Sequence, residues 1–156
     1  MEYLVIVTAA LLLIGSISIA MPSKSSRKIS KLRIDAKMLG CKISSNLYGK
    51  NKFKNRNSFD VSYQIKNLTT LKEGHFIRDK NKFILYSPVK LKYLDHFNDI
   101  ERVLQGMPIS ANEIIFSNIS ISFLWKESDG IKELESILEK LNDLKIYKIN
   151  LPTGHF

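Results

Sequence analysis

The chain contains few of the residues from which disulfides, thiolate metal sites and phosphate-binding loops are built. Its 156 residues include one cysteine, four prolines and seven glycines. A single cysteine excludes an internal disulfide and any zinc site built on several thiolates. The glycines stand singly, and none belongs to a phosphate-binding loop of the GxxxxGK[ST] or GxGxxG type. The sequence therefore lacks the common motifs for nucleotide binding and for thiolate metal sites.

Candidate catalytic residues are also few. The three histidines, His75, His96 and His155, are scattered, and no HxxxH, HxH, CxxC or DxD pattern accompanies them. Asp95 and Asp99 lie within one helical turn of His96, so a carboxylate could orient that imidazole, but an ordinary polar helix surface gives the same pattern. We therefore predict a protein that is not an enzyme, with no catalytic residue, no cofactor-binding residue and no metal ligand.

One long apolar run lies at the start of the chain. Leu4 to Met21 carries no charged residue, and as a helix it would span about 27 Å, close to the roughly 30 Å hydrocarbon core of a bilayer. A cleaved signal peptide is the rival interpretation, and it would have a positive n-region and a small-x-small cleavage site. The residues before the run include Glu2 and no Lys or Arg, and Ile19-Ala20-Met21 is a poor cleavage site. We predict a transmembrane anchor at residues 1–21.

Charge is distributed unevenly after the anchor. Residues 22–93 hold 18 Lys and Arg against 4 Asp and Glu, whereas residues 94–156 hold 6 against 10. Lys and Arg beside a membrane helix stay on the cytoplasmic side, which predicts Met1 outside and a cytoplasmic C-terminal domain. Six basic residues directly after the anchor are predicted to contact anionic lipid headgroups: Lys24, Arg27, Lys28, Lys31, Arg33 and Lys37.

Hydrophobic periodicity divides the remaining chain. A basic amphipathic juxtamembrane helix is predicted at residues 22–40, because apolar residues recur at helical spacing before a C-cap glycine, Gly40. This helix could lie on the membrane or pack on the domain. An α+β domain is predicted at residues 41–145, with a flexible tail at 146–156.

The domain is predicted to be an antiparallel sheet covered by two helices, for which a ferredoxin-like sandwich is one form. Hairpins are expected with turns at residues 79–82 and 117–118. Ile119, Ile121, Phe123 and Trp125 alternate along one predicted buried strand face. The predicted strands are residues 41–48, 59–65, 75–78, 83–87, 113–116 and 119–126, and the helices are residues 94–105 and 130–144, the last capped by Ser128 or Asp129.

Two further motifs have alternative explanations. Lys50–Arg56 alternates basic residues with Asn and Phe, which could hold a nucleic-acid backbone, although no established RNA- or DNA-binding signature accompanies it. Asn67-Leu68-Thr69 and Asn118-Ile119-Ser120 match the glycosylation pattern, which has no meaning for a cytoplasmic or bacterial domain.

The N-terminal part resembles a group of small single-pass proteins of gammaproteobacteria. The likeness rests on the uncharged first segment, Met21-Pro22-Ser23, the basic stretch and Leu32-Arg33-x-x-Ala36-x-x-Leu39-Gly40, and it covers roughly residues 1–43. Some of these proteins carry a label as a YajC-like accessory subunit of the preprotein translocase. True members of that family have a Gly-Asp and a Gly-Gly-rich β motif after the helix, which this chain lacks, so no residue role is carried over.

The resemblance implies a bacterial inner-membrane protein with one membrane helix and a small cytoplasmic domain. We expect a non-enzymatic accessory or scaffold subunit of a membrane complex, with the lipid bilayer and other membrane-protein subunits as partners and no cofactor. The alternative is a membrane-tethered nucleic-acid-binding protein that uses Lys50–Arg56, for which nucleic acid would be the partner.

Overall fold

The computed structural model describes residues 2–20, 23–44, 53–55 and 60–147, with the side chains of residues 17–20 excepted. The chain divides into two compact units, Met1–Lys31 and Leu32–Phe156. The tail predicted at 146–156 lies almost entirely outside the described residues, and so does most of the loop that follows the first strand.

The first unit contains helix α1, Glu2–Ala20, and the start of helix α2, Lys24–Met38. The described side chains of α1 are exposed on every side of the helix. Among the described residues, no helix is both long enough and apolar enough to cross a membrane. The transmembrane anchor at residues 1–21 therefore stays a prediction.

Helix α2 ends at the glycine that the sequence indicates. Gly40 has a φ of 84°, in the left-handed region that glycine adopts readily. The Cys41 amide donates to the Ala36 carbonyl at 2.9 Å and the Gly40 amide donates to the Lys37 carbonyl at 3.0 Å. These two bonds form a Schellman motif, and the buried side chains of Ala36 and Cys41 supply its apolar contact.

The second unit is an α+β domain built on a six-stranded antiparallel sheet. The strands are β1 Lys42–Ser44, β2 Asp60–Lys66, β3 Gly74–Asp79, β4 Lys82–Ser87, β5 Ala111–Phe116 and β6 Ser120–Lys126. Their order in the sheet is β1-β2-β6-β5-β3-β4. Both predicted hairpins are present, β3 with β4 and β5 with β6. Lys80, in the first turn, has a φ of 53°.

Two amphipathic helices share the hydrophobic core with one face of this sheet. Helix α3, Phe97–Gln105, buries Phe97, Ile100 and Leu104, and helix α4, Ile131–Asp143, buries Leu134, Ile137 and Leu141. The strands alternate, so every second side chain enters this core. The largest buried side chains from the sheet are Tyr63, Phe76, Phe83, Ile114, Phe116, Ile121, Phe123 and Trp125.

The second half of α2 belongs to the same core. Leu32 and Ala36 are buried in the cluster that holds the sheet and the two later helices. Of the two placements left open for this helix, packing on the domain is therefore observed for Leu32–Met38.

Three details differ from the predictions. Ile119 precedes β6 and is 78% exposed, because the turn takes it out of the strand alternation. Helix α4 begins after Gly130, whose φ of 89° lies in the left-handed region, and neither Ser128 nor Asp129 caps it. Among the described residues, four strands precede α3, whereas a ferredoxin-like fold has a β-α-β-β-α-β order.

Candidate functional site

The six basic residues predicted to contact lipid all lie on α2. Lys24, Arg27, Lys28, Lys31 and Lys37 are exposed, and none forms an ion pair with another described residue. Arg33 differs, because its guanidinium binds Glu127. The lipid contact remains a prediction for all six, and Arg33 has a second, structural role.

The basic segment Lys50–Arg56 is described only at residues 53–55. There the backbone amides of Lys54 and Asn55 donate to the Glu113 carboxylate at 2.7 and 2.8 Å. The Lys54 ammonium lies 5.4 Å from the centroid of the Tyr86 ring, within the range of a cation–π contact. Nucleic-acid binding by the rest of this segment falls outside the described residues.

Glu113 is a fully buried carboxylate on the sheet face opposite the main core. It stands in β5 between residues whose side chains enter that core, and its exposure is 0%. Besides the two amides, it binds Nε2 of His75 at 2.5 Å. Two backbone N–H groups and one imidazole nitrogen therefore contact this carboxylate, as a buried polar group requires.

His75 is oriented by this contact. Nε2 is the nitrogen that contacts the carboxylate, so Nδ1 is the nitrogen left for another partner. The ring also packs edge-on against Tyr86, with 5.0 Å between the ring centroids. A histidine held in this way by a buried carboxylate is the arrangement found in many binding and catalytic sites.

No sequence motif links Glu113 with His75. The available signal was an acidic residue inside Ala111–Phe116, a strand that is otherwise almost entirely buried. Such a residue implies a nearby donor, but the donors lie 38 and about 58 residues away in sequence. Only the antiparallel register of β3 and β5 brings His75 within reach.

A second buried carboxylate joins α2 to the sheet. Glu127 receives two hydrogen bonds from the Arg33 guanidinium, at 2.9 and 2.7 Å, and one from the Tyr63 hydroxyl at 2.8 Å. The hydrogen bond to Glu127 raises the pKa of Arg33. Burial, reinforced by the bond to Glu127, raises the pKa of the Tyr63 hydroxyl. Both groups keep their protons, and the cluster of Arg33, Tyr63 and Glu127 has a structural role.

Cys41, the sole thiol, is 3% exposed beside this cluster in the core. Burial raises the pKa of its thiol to about 11. Because the thiolate is the reactive form, this cysteine is a poor nucleophile at neutral pH.

Arg78 has a structural role as well. Its guanidinium donates to the carbonyls of Ala111 at 2.6 Å, Pro108 at 2.7 Å and Met107 at 3.2 Å, and it lies 4.3 Å from the centroid of the Phe83 ring. Burial lowers the pKa of this group from its ordinary value. The contacts fix the loop between α3 and β5 against β3.

The carboxylate expected to orient His96 is Asp99. Nδ1 of His96 lies 3.5 Å from the Asp99 carboxylate, and both side chains are partly exposed. Arg102 shares the same carboxylate at 3.3 Å. The group is a partly exposed ion-pair cluster at the start of α3.

The asparagine of the first glycosylation tripeptide is hydrogen-bonded within the domain. The Asn67 amide nitrogen donates to the carbonyls of Leu71 and Ser117 at 2.8 and 2.6 Å, and its oxygen accepts from the amide and hydroxyl of Thr69. Both amide hydrogens are therefore engaged. Asn118 in the second tripeptide is exposed.

Within the described ranges, no group of three or more His, Cys, Asp or Glu side chains is placed to hold a metal ion. No protein-family model matches the sequence, and neither a curated protein nor a solved structure matches the chain.

Proposed function

We propose that the chain is a single-pass membrane protein of the bacterial inner membrane, whose cytoplasmic α+β domain serves a membrane complex as a non-enzymatic accessory or scaffold subunit. The observation that carries the proposal is the exposure of α1. Nine large apolar or aromatic side chains between Tyr3 and Ile14 are 57 to 85% exposed. A helix that is apolar on all sides requires an apolar environment around it.

The polar groups of α1 support the same placement. The Thr8 hydroxyl donates to the Leu4 carbonyl at 2.6 Å, and the Ser16 hydroxyl donates to the Leu13 carbonyl at 2.9 Å. A hydroxyl that binds its own helix needs no water, so these side chains add little to the cost of entering lipid.

The exposed lysines and arginines at the start of α2 support the proposed orientation. Lys24, Arg27, Lys28 and Lys31 are exposed and have no acidic partner among the described residues. Each basic residue held at an anionic membrane surface contributes about 1 kcal/mol. The same residues favour the cytoplasmic side for the domain.

The exposed edge of the sheet supports a scaffold role. Strand β4 has β3 as its sole described neighbour, and its side chains Ile84 and Tyr86 are 47 and 51% exposed. The following 3-10 helix, Val89–Tyr93, exposes Val89 and Tyr93 at 62 and 83%. Exposed aromatic and apolar residues beside an open strand edge are typical of a protein interface.

The membrane anchor is tested by charge insertion into α1. We expect the Leu11→Lys, Leu12→Lys double variant to leave the membrane fraction after alkaline extraction, because each lysine at a helix centre costs about 3 kcal/mol on insertion. Leu68→Lys is the matched control, since Leu68 is also exposed but lies in the domain. Extraction of the unmodified protein at alkaline pH would overturn the anchor.

The scaffold role is tested by in-cell photo-crosslinking of the full-length protein. A benzophenone side chain at position 86 or 93 should give a discrete adduct with an integral membrane protein, and the same group at Glu135, exposed on α4, should not. Absence of adducts at 86 and 93, or equal adducts at all three positions, would contradict the proposed interface.

A further inference from the structure

A small pocket lies beside His75, at the end of the sheet where β3 begins and β4 and β5 end. Its volume is about 310 Å³, at the lower end of the range for small-molecule sites. The polar side chains of the lining are those of Lys72, His75, Ser87, Ser117 and Asn118, together with Glu73, whose carboxylate is paired with Lys90. Glu113 is not part of the lining and lies behind the imidazole.

The imidazole of His75 is held rigidly in this wall. The residue is 7% exposed, and its Nε2 is 2.5 Å from the Glu113 carboxylate. That carboxylate is fixed in turn by the backbone amides of Lys54 and Asn55. Nδ1 of His75 has no hydrogen-bond partner among the described residues, so one nitrogen of an oriented ring is left for a ligand.

The charges around the pocket favour an anion. Lys72 is exposed and has no carboxylate partner among the described residues, whereas the neighbouring Glu73 is paired with Lys90. Ser87 stands directly opposite His75 in the pairing of β3 with β4, which places a hydroxyl on the same sheet face. An ammonium, a hydroxyl and an imidazole are donors that suit tetrahedral oxyanions.

We propose that this pocket binds a phosphate group, held between the Lys72 ammonium and Nδ1 of His75. In this arrangement the imidazole ring lies between the anion at Nδ1 and the Glu113 carboxylate at Nε2. Ser87 and Asn118 supply further donors. The phosphate is either a small soluble phosphate or the headgroup of an acidic lipid, and the binding mode is the same for both.

The test observes the imidazole itself in the full-length protein, held in nanodiscs of phosphatidylcholine. The chain has three histidines, so protein labelled with carbon-13 histidine gives three ring signals, assigned with His96→Gln and His155→Gln. Titration with inorganic phosphate at constant pH and ionic strength should shift the His75 signal saturably, with a Kd of about 1 mM or tighter. The signal of His96, an exposed histidine, should stay in place.

Variants and a second lipid distinguish the outcomes. Lys72→Gln should weaken binding about fivefold, as expected for one charged contact, and Lys132→Gln, which removes an equally exposed charge from α4, should not. A His75 shift in nanodiscs with phosphatidic acid and no free phosphate identifies the lipid as the source. The proposal is overturned if neither probe shifts His75 saturably, if His96 shifts in parallel, or if the two lysine variants weaken binding equally.

Discussion

A cluster of three side chains, centred on Glu127, holds the second half of α2 on the sheet. Arg33 comes from the helix, Tyr63 from β2, and Glu127 from the 3-10 helix Glu127–Asp129 that follows β6. Glu127 is 6% exposed, so a lost donor leaves a buried carboxylate incompletely satisfied. Such groups dominate the energetic effect of single substitutions in a domain of this size.

We expect Arg33→Met to lower the free energy of unfolding by about 1 to 3 kcal/mol, since the substitution removes two hydrogen bonds to Glu127. Tyr63→Phe should cost about 1 kcal/mol, and the double variant should be less than additive because both donors bind one carboxylate. Urea titration measures all three. Lys37→Met, which removes an exposed charge from the same helix, should stay within about 0.5 kcal/mol; a larger effect would assign the loss to helix charge.

The buried thiol predicts loss of stability at alkaline pH. The pKa of Cys41 is about 11 in the fold and 9.0 for an unperturbed thiol. The folded state therefore retains the thiol proton to a higher pH than the unfolded state. The stability that this difference contributes is complete below pH 9 and declines as pH rises towards 11. Two pKa units correspond to about 2.7 kcal/mol.

Cys41→Ala should remove this part of the decline when stability is measured by denaturant titration between pH 8 and pH 11, as the linkage relation requires. A residual slope in the same direction is expected from Tyr63, whose pKa is also raised. If the unfolding free energy of the variant and that of the unmodified protein fall equally with pH, the thiol does not contribute to the loss of stability at alkaline pH.

The turn after β2 depends on one amide side chain. Asn67 makes four hydrogen bonds that hold Thr69, Leu71 and Ser117 together. Asn67→Ala should lower the unfolding free energy by about 2 to 4 kcal/mol, because several buried polar groups lose their partner. Asn118→Ala is the matched control, since Asn118 is exposed in the neighbouring turn. Equal melting temperatures for both variants would contradict the bracing role.

Elements with a strong local signal were predictable from the sequence. The β3–β4 and β5–β6 hairpins, helix α4 and the end of α2 at Gly40 follow from alternation, helical spacing and turn residues, all of which act between near neighbours. The start of α4 was predicted to within one residue, but its capping residue was not, because Gly130 takes the cap position through its backbone conformation and not through a side chain.

The candidate site was less accessible to sequence reasoning. The pairing of Glu113 with His75 and that of Arg33 with Glu127 join residues 38 and 94 positions apart. Such contacts depend on which strands become neighbours, and hydrophobic patterns fix a strand's face but not its place in the sheet. The pattern of basic residues along α2 also gave no sign that Arg33 has a carboxylate partner in the domain.

The boundary between the two compact units of the chain lies within α2. This boundary predicts which fragments of the chain fold stably. All residues of the hydrophobic core lie at position 32 or later, and Leu32 and Ala36 belong to it. A fragment of residues 32–156 should fold, whereas one of residues 41–156, which begins where the sequence pattern places the domain, loses Leu32, Ala36 and the Arg33 ion pair. Loss of the leucine and of the charged contact together should cost about 3 kcal/mol or more.

Thermal unfolding followed by circular dichroism checks this difference. The longer fragment should melt cooperatively, and the shorter one at a temperature lower by about 10 °C or more. Indistinguishable melting curves would show that α2 contributes nothing to the domain.

Trp125 is an intrinsic fluorescence probe of the domain core. It is the sole tryptophan of the chain, it is 0% exposed, and its ring lies edge-on to Tyr63 at 5.5 Å between centroids. Its indole nitrogen has no hydrogen-bond acceptor among the described residues. The emission of this one fluorophore should be blue in the native protein and shift to the red when the centre of the sheet opens to water. Intrinsic fluorescence thus reports directly on the cluster of Tyr63, Glu127 and Arg33.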